Sequence, residues 1–266
     1  VITKLKFGAI VCATALLLVI LIPLQLIAFL LAKLGWKAPA GVLPVLFHRT
    51  LLKFFGIRLI RQGKLSRERP LLLVSNHVSW LDIVVMGAVE PLSFVAKSEM
   101  KGWPIFGTLA RLQRTVFIRR EDRRNSSQQA NDIAERMTAR EIMVLFPEGT
   151  TTDGNQLAPF KTPLFEAAKI ALSRSPVETA TVQPVAIAYT HLHGLPIGRA
   201  ERPHVAWPGE IGLGESLMSL VGEGALDVTI IVGDPIALNE TSNRKIIAKN
   251  AADSLRSLLD SSLRSG

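Results

Sequence analysis

The segment Asn76-His77-Val78-Ser79-Trp80-Leu81-Asp82 places an imidazole five residues before a carboxylate, directly after the apolar run Leu71–Ser75. A carboxylate that accepts a hydrogen bond from one imidazole nitrogen fixes the tautomer. The other nitrogen is then free to take a proton from a hydroxyl as that hydroxyl attacks an activated carbonyl, such as a thioester. On one ideal helix, residues five apart point about 140° away from each other, so the two can meet only if His77 precedes the helix. Ser79 is expected to act as the N-cap, with the helix starting at Trp80. Asp82 then falls at the third helical position, where a carboxylate can reach back. The chain has no G-x-S-x-G elbow, and a hydroxyl acceptor meeting a reactive thioester needs no enzyme nucleophile.

A second group follows another apolar run. Leu145-Phe146-Pro147-Glu148-Gly149-Thr150 comes after Ile142–Val144, and a polar loop through Asp153-Gly154 leads to Pro159-Phe160-Lys161. Between the two groups lies Val116-Phe117-Ile118-Arg119-Arg120, a short apolar run ending in guanidinium groups, and further on Val182-Gln183-Pro184-Val185. Together these closely resemble the glycerolipid acyltransferase family, in its lysophosphatidic acid acyltransferase (PlsC-like) group. The first motif of that family is N-H-x-S-x-x-D, and its third is F-P-E-G-T. The second ends in a strand and an arginine; the family usually has an acidic residue or Asn where Arg119 stands, so Arg120 takes the arginine position. The resemblance covers roughly residues 40–235.

The resemblance implies His77 as general base and Asp82 as its orienter. It implies that Arg120, with Glu148, Gly149 and Thr150, holds the acceptor's head group. Arg120 offers a planar fork for phosphate oxygens, Gly149 permits close backbone approach, and Glu148 would bond an acceptor hydroxyl or orient Arg120. Lys97 and Lys161 would add positive potential. The implied reaction is O-acylation of a lysolipid from acyl-CoA or acyl-carrier protein, with no metal and no further cofactor. The leading acceptor is 1-acyl-glycerol-3-phosphate, giving phosphatidic acid. The alternative is lyso-ornithine lipid, because the F-P-E-G-T-T-x-D-G form and Trp207-Pro208-Gly209-Glu210 are similar to that subgroup too. A non-catalytic membrane adaptor on the same fold is the competing class, and intact His77, Asp82 and Glu148 argue against it.

The elements that must position these residues alternate between strand and helix patterns from Leu71 onward. Strands are expected at 71–75, 93–96, 115–118, 142–146, 181–189 and 227–232. Helices are expected at 79–89, 125–140, 162–173 and 241–263. This alternation predicts an α/β domain with a largely parallel central sheet flanked by helices. Residues 1–60 are expected to form a membrane anchor and an interfacial helix, and residues 61–266 the acyltransferase domain. Gly35–Pro44 reads as a turn, and Val45–Ile60 as an amphipathic helix with Arg49, Lys53 and Arg58 along it.

Composition agrees with a membrane enzyme. From Phe7 to Ala32 no residue is charged, which at about 1.5 Å per residue spans ~39 Å against a hydrocarbon core of roughly 30 Å. The run exceeds the h-region of a signal peptide, and no small-x-small site directly follows it. The formal charge of +9 suits an anionic membrane or an acidic carrier protein. With no basic stretch interleaved with aromatics, nucleic acid is not an expected partner. Arg111, Arg114, Arg119, Arg120, Arg123 and Arg124 form the densest basic group, and Met100–Phe106 is an apolar segment suited to lining an acyl site or dipping into lipid. Cys12, the sole cysteine, excludes an internal disulfide. His191-x-His193 lacks a third ligand for a metal. The expected location is the cytoplasmic face of an inner membrane.

Overall fold

The computed structural model describes residues 2–36, 38–119, 126–207 and 212–264. Among the described residues nine strands build the sheet: β1 (Ile57–Gln62), β2 (Leu71–Ser75), β3 (Ser93–Lys97), β4 (Val116–Ile118), β5 (Ile142–Leu145), β6 (Ala180–Leu192), β7 (Leu195–Pro196), β8 (Leu226–Val232) and β9 (Ile236–Leu238). Their order is β1-β8-β6-β2-β5-β3-β4, with β7 and β9 both paired to β6. The block β6-β2-β5-β3-β4 is parallel throughout. β8 runs antiparallel to β6 and carries β1 parallel to itself. The expected α/β fold with a largely parallel sheet is what the chain adopts.

Strand β2 is buried on both faces, as a central parallel strand must be. Leu71 and Leu73 enter one core, Leu72 and Val74 the other. The first core lies under α1 (Ile2–Lys33), α2 (Ala38–Phe54), α3 (Leu81–Gly87) and α8 (Leu213–Glu223). The second lies under α5 (Ser126–Thr138), α6 (Glu166–Ser173) and α9 (Arg244–Arg264). Two short helices, α4 (Phe106–Leu112) and α7 (Arg202–Val205), complete the fold.

The N-terminal region departs from expectation in two places. Ala38–Pro44, read as part of a turn, is the first part of α2, with Pro44 accommodated in the helix. The amphipathic helix expected to run to Ile60 ends at Phe54. Gly56 turns the chain at φ +68°, and Ile57–Gln62 becomes β1, paired to Leu226–Ile231. The sheet therefore begins inside the segment assigned to the anchor. α1 is long and apolar enough to cross a membrane. Its Phe7 and Ile10 pack on the first core, while Leu16, Val19, Leu26 and Leu30 face outward.

Candidate active site

His77 sits in the loop between β2 and α3, at the C-terminal edge of the parallel strands, where open α/β sheets place their ligands. Its Nδ1 lies 2.8 Å from Asp82 Oδ2. A carboxylate cannot donate when ionised, so Nδ1 carries the proton and Nε2 keeps its lone pair. The ring stacks on Phe146, with centroids 4.3 Å apart and planes 21° from parallel. Its side chain remains 17% exposed.

Asp82 is fully buried, at 0% exposure. Burying a carboxylate is costly unless its lone pairs are filled, and here four donors converge on it. Oδ2 accepts from the His77 ring and from the backbone N–H groups of Val78 (2.7 Å) and Ser79 (2.9 Å); Oδ1 accepts from the Tyr189 hydroxyl at 2.6 Å. Burial, and then the neighbouring Asp82 charge, push the Tyr189 phenol well above its ordinary range, so it stays a donor. Half of the expected cap forms, since the Asp82 carboxylate reaches back to the Ser79 N–H, but the helix begins one residue later. α3 starts at Leu81 with Trp80 as N-cap. Ser79 Oγ reaches the Leu81 N–H only at 3.4 Å, while the carboxylate at 82 folds back over the preceding turn.

Glu148 lies in the loop that follows β5. It is 3% exposed, and its oxygens accept the backbone N–H of His77 (2.7 Å) and of Ala158 (2.7 Å). Both oxygens are thus engaged by backbone, and the side chain braces the His77 loop. Burial pushes its carboxyl up to about 7, against the pull of the two N–H bonds. From the same loop, the Thr152 N–H donates to the His77 carbonyl at 2.9 Å. The F-P-E-G-T segment and the two threonines after it thereby hold both backbone groups of His77, and Phe146 stacks on its imidazole.

Gly149 has φ +76°, and a Cβ there would fall 2.7 Å from Lys161 Nζ. The positive φ disfavours a side chain at 149, and the exposed Lys161 side chain is drawn across the loop. Thr150 is exposed on the same loop. Lys97, exposed at the end of β3, stands at the same edge of the sheet two strands from β2, about 10 Å by the ~4.8 Å strand spacing. Arg120 lies outside the described residues, as do Arg123, Arg124 and Pro208–Glu210.

Tyr189 escaped the sequence reading, and Asn76 was part of the first motif without a role assigned to it. Tyr189, the chain's single tyrosine, was a detectable candidate: it lies four residues beyond Val185, the register partner of Ser75, and so at the edge where His77 emerges. Asn76 ties the loop to β6, donating to the Ile187 carbonyl (2.9 Å) and accepting its N–H (2.8 Å).

Beside the loop is a cavity of about 440 Å³, large against the ~150 Å³ that holds a benzene in an apolar core. α1 and α2 form one wall, Met100–Gln113 another, and Trp80 and Phe94 close it toward the site. Phe94 stacks behind Phe146 at 6.4 Å, so the cavity ends one ring short of His77.

A model of the Acyltransferase family matches residues 56–188. The chain is 47% identical to a lyso-ornithine lipid O-acyltransferase of Brucella abortus, over 97% of this chain and 96% of that one. The chain belongs to the acyltransferase family. Other members are similar at lower identity or coverage. A lyso-ornithine lipid O-acyltransferase of Rhizobium meliloti is 46% identical over 92% of this chain and 82% of its own. A 1-acyl-sn-glycerol-3-phosphate acyltransferase of Neisseria gonorrhoeae is 33% identical over 74% and 73%. Among solved structures, the PlsC acyltransferase of Thermotoga maritima shares the fold with a TM-score of 0.69 at 20% identity, covering 98% of this chain and 94% of that one. This acyltransferase is thus a lipid-metabolism enzyme of the lysolipid-acylating family, carrying an apolar N-terminal helix.

Proposed function

We propose that this acyltransferase transfers a fatty acyl chain to the hydroxyl of lyso-ornithine lipid, giving ornithine lipid. The observation that carries this reading is the 47% identity to a lyso-ornithine lipid O-acyltransferase across nearly the whole of both chains. Acylation of 1-acyl-glycerol-3-phosphate, the reading that led on motifs alone, stands second. It is supported by 33% identity over about three quarters of each chain.

The geometry supports a general-base mechanism. His77 Nε2 takes the acceptor's hydroxyl proton as the oxygen attacks the thioester carbonyl. Asp82 holds the ring and stabilises the imidazolium that forms. Collapse of the tetrahedral intermediate breaks the C–S bond and expels the thiolate, which takes the proton from the His77 imidazolium and leaves as the thiol. The acyl chain occupies the 440 Å³ apolar cavity, and the donor is acyl-CoA or acyl-carrier protein, with no further cofactor. The outward apolar face of α1 lies in an inner membrane, with the catalytic domain on its cytoplasmic side. Purified full chain, offered both acceptors with both donors, should acylate lyso-ornithine lipid. Product from 1-acyl-glycerol-3-phosphate alone would reverse the assignment, and product from neither would remove it.

A further inference from the structure

Between β3 and β4 the chain leaves the sheet and presents six consecutive exposed residues, Lys101 to Phe106, including Trp103, Ile105 and Phe106. Large apolar side chains gathered at a projecting tip call for a partner. The tip is also rigidly shaped. Phe106 N–H donates to the Pro104 carbonyl at 2.6 Å across Ile105, which sits at φ 62°, ψ −61°. That is the rare, strained hand of γ-turn, and a β-branched residue is poorly suited to it. Ile105 is nonetheless 63% exposed, so burial inside the protein does not offset the strain. Behind the apex, Gly107 packs against its own chain: a Cβ there would lie 2.4 Å from the Lys101 carbonyl oxygen.

We propose that this turn is a wedge that inserts into an anionic lipid bilayer and sets the open wall of the acyl cavity against the membrane. Three observations join here. Met100, Trp103, Ile105 and Phe106 line the cavity on the side facing α1. Gln25 Nε2, from α1, reaches the Leu112 carbonyl at 3.4 Å and the Ala40 carbonyl at 3.0 Å, which ties the base of the wedge to both N-terminal helices. Lys97, Lys101 and Arg111 are exposed and set back from the apolar apex, with Glu99 the sole acidic residue from 97 to 114. An apolar tip ringed by cations, with an indole at the boundary, matches the layering of an anionic leaflet. An acidic carrier protein would meet the cations, but it would leave Ile105 without an apolar partner.

The inference rests on the membrane placement of α1 in the proposed function, and the test separates the two. In full-length protein carrying Cys12→Ser and Ile105→Cys, an NBD fluorophore is attached at 105 and the protein is reconstituted with vesicles of phosphatidylglycerol and phosphatidylcholine. The expected result is a blue-shifted emission quenched by nitroxide lipids at a depth of roughly 5–10 Å and protected from iodide. Protein that floats with vesicles while its probe stays open to iodide would overturn the wedge and leave the α1 reading intact. Protein that does not float at all would overturn both. Protection by acyl-carrier protein without lipid, and none by vesicles, would assign the surface to the carrier instead. Lys101→Glu with Arg111→Glu leaves the turn's sequence whole. It should slow acylation of vesicle-borne acceptor about tenfold while leaving turnover in neutral detergent micelles unchanged; equal rates on both would again overturn the proposal.

Discussion

On one face of the sheet the helices pack through many alanines: Ala130 and Ala134 from α5, Ala167, Ala168 and Ala171 from α6, and Ala248 and Ala251 from α9. Such small side chains let helices sit close to the strands and leave no room between them. The opposite face carries Phe55, Trp80, Phe94 and Phe146, with α1 and α2 standing off far enough to leave the 440 Å³ cavity. Orphaned polar atoms follow the same division. Of the buried side-chain atoms without a hydrogen-bond partner among the described residues, Thr14 Oγ1, Gln25 Oε1 and His48 Nδ1 belong to residues lining that cavity, and none belongs to α5, α6 or α9. The closed face supplies stability, and the open face is kept imperfect for a ligand.

The largest effect expected on the open face is chemical. His77→Ala should lower acyl transfer by about 10³-fold, within the ~10²–10⁴ range for a general base, with the melting temperature unchanged. A comparable melting loss would mean that this residue holds the fold, and the division of labour would fail. Glu148→Gln comes next, because the amide can accept only one of the two backbone N–H bonds. The Glu148 carboxyl titrates near 7 when folded, against an ordinary 4.5. Its raised value makes its contribution to stability full below about pH 4.5 and lost as pH rises to about 7, at most ~3 kcal/mol. Urea melts across that window should slope downward with pH in the native protein and run flat in Glu148→Gln.

How much of this was legible beforehand depends on sequence distance and on chemical identity. His77 and Asp82 lie five residues apart, and they meet because His77 precedes the helix that carries Asp82. The contacts of Glu148 do not, because they are backbone N–H groups 71 and 10 residues away, and a backbone donor leaves no mark in residue type. The Tyr189 to Asp82 bond spans 107 positions and exists only through the register of β6 on β2. β1 was read as helix because Ile57, Leu59 and Ile60 with interspersed arginines fit either period. Only pairing with β8, far along the chain, decides it. The alternating pattern was enough for the closed face, whose helices at 126–138 and 244–264 fall within three residues of expectation.

Tyr189→Phe probes the support of the pair on the open face, since it removes one of the four donors to a fully buried carboxylate. A hydrogen bond to a charged group contributes ~1.5–3 kcal/mol, so kcat should drop ten- to a hundredfold while KM for the acceptor holds. A change confined to KM would place Tyr189 against substrate rather than behind Asp82.

The smallest effect tests the comparison most directly, through a matched pair of enlargements. Ala168→Leu adds volume where Ala168 is 0% exposed in the alanine core, and overpacking there should cost ~1–3 kcal/mol. At roughly 2–4 °C of melting temperature per kcal/mol for a chain of this size, calorimetry will resolve the loss, and activity per folded molecule should not move. Leu109→Trp adds a comparable volume but directs it into the cavity wall, where nothing needs to be displaced. Its melting temperature should stay within about 2 °C of the native value, under ~1 kcal/mol. What should change is the donor profile. Each methylene denied a place in the cavity forgoes about 0.8 kcal/mol, so rates with long-chain thioesters should fall about fourfold per carbon excluded relative to short ones. If Leu109→Trp instead melts as early as Ala168→Leu and keeps the native chain-length profile, the open face is packed like the closed one and the acyl chain binds elsewhere.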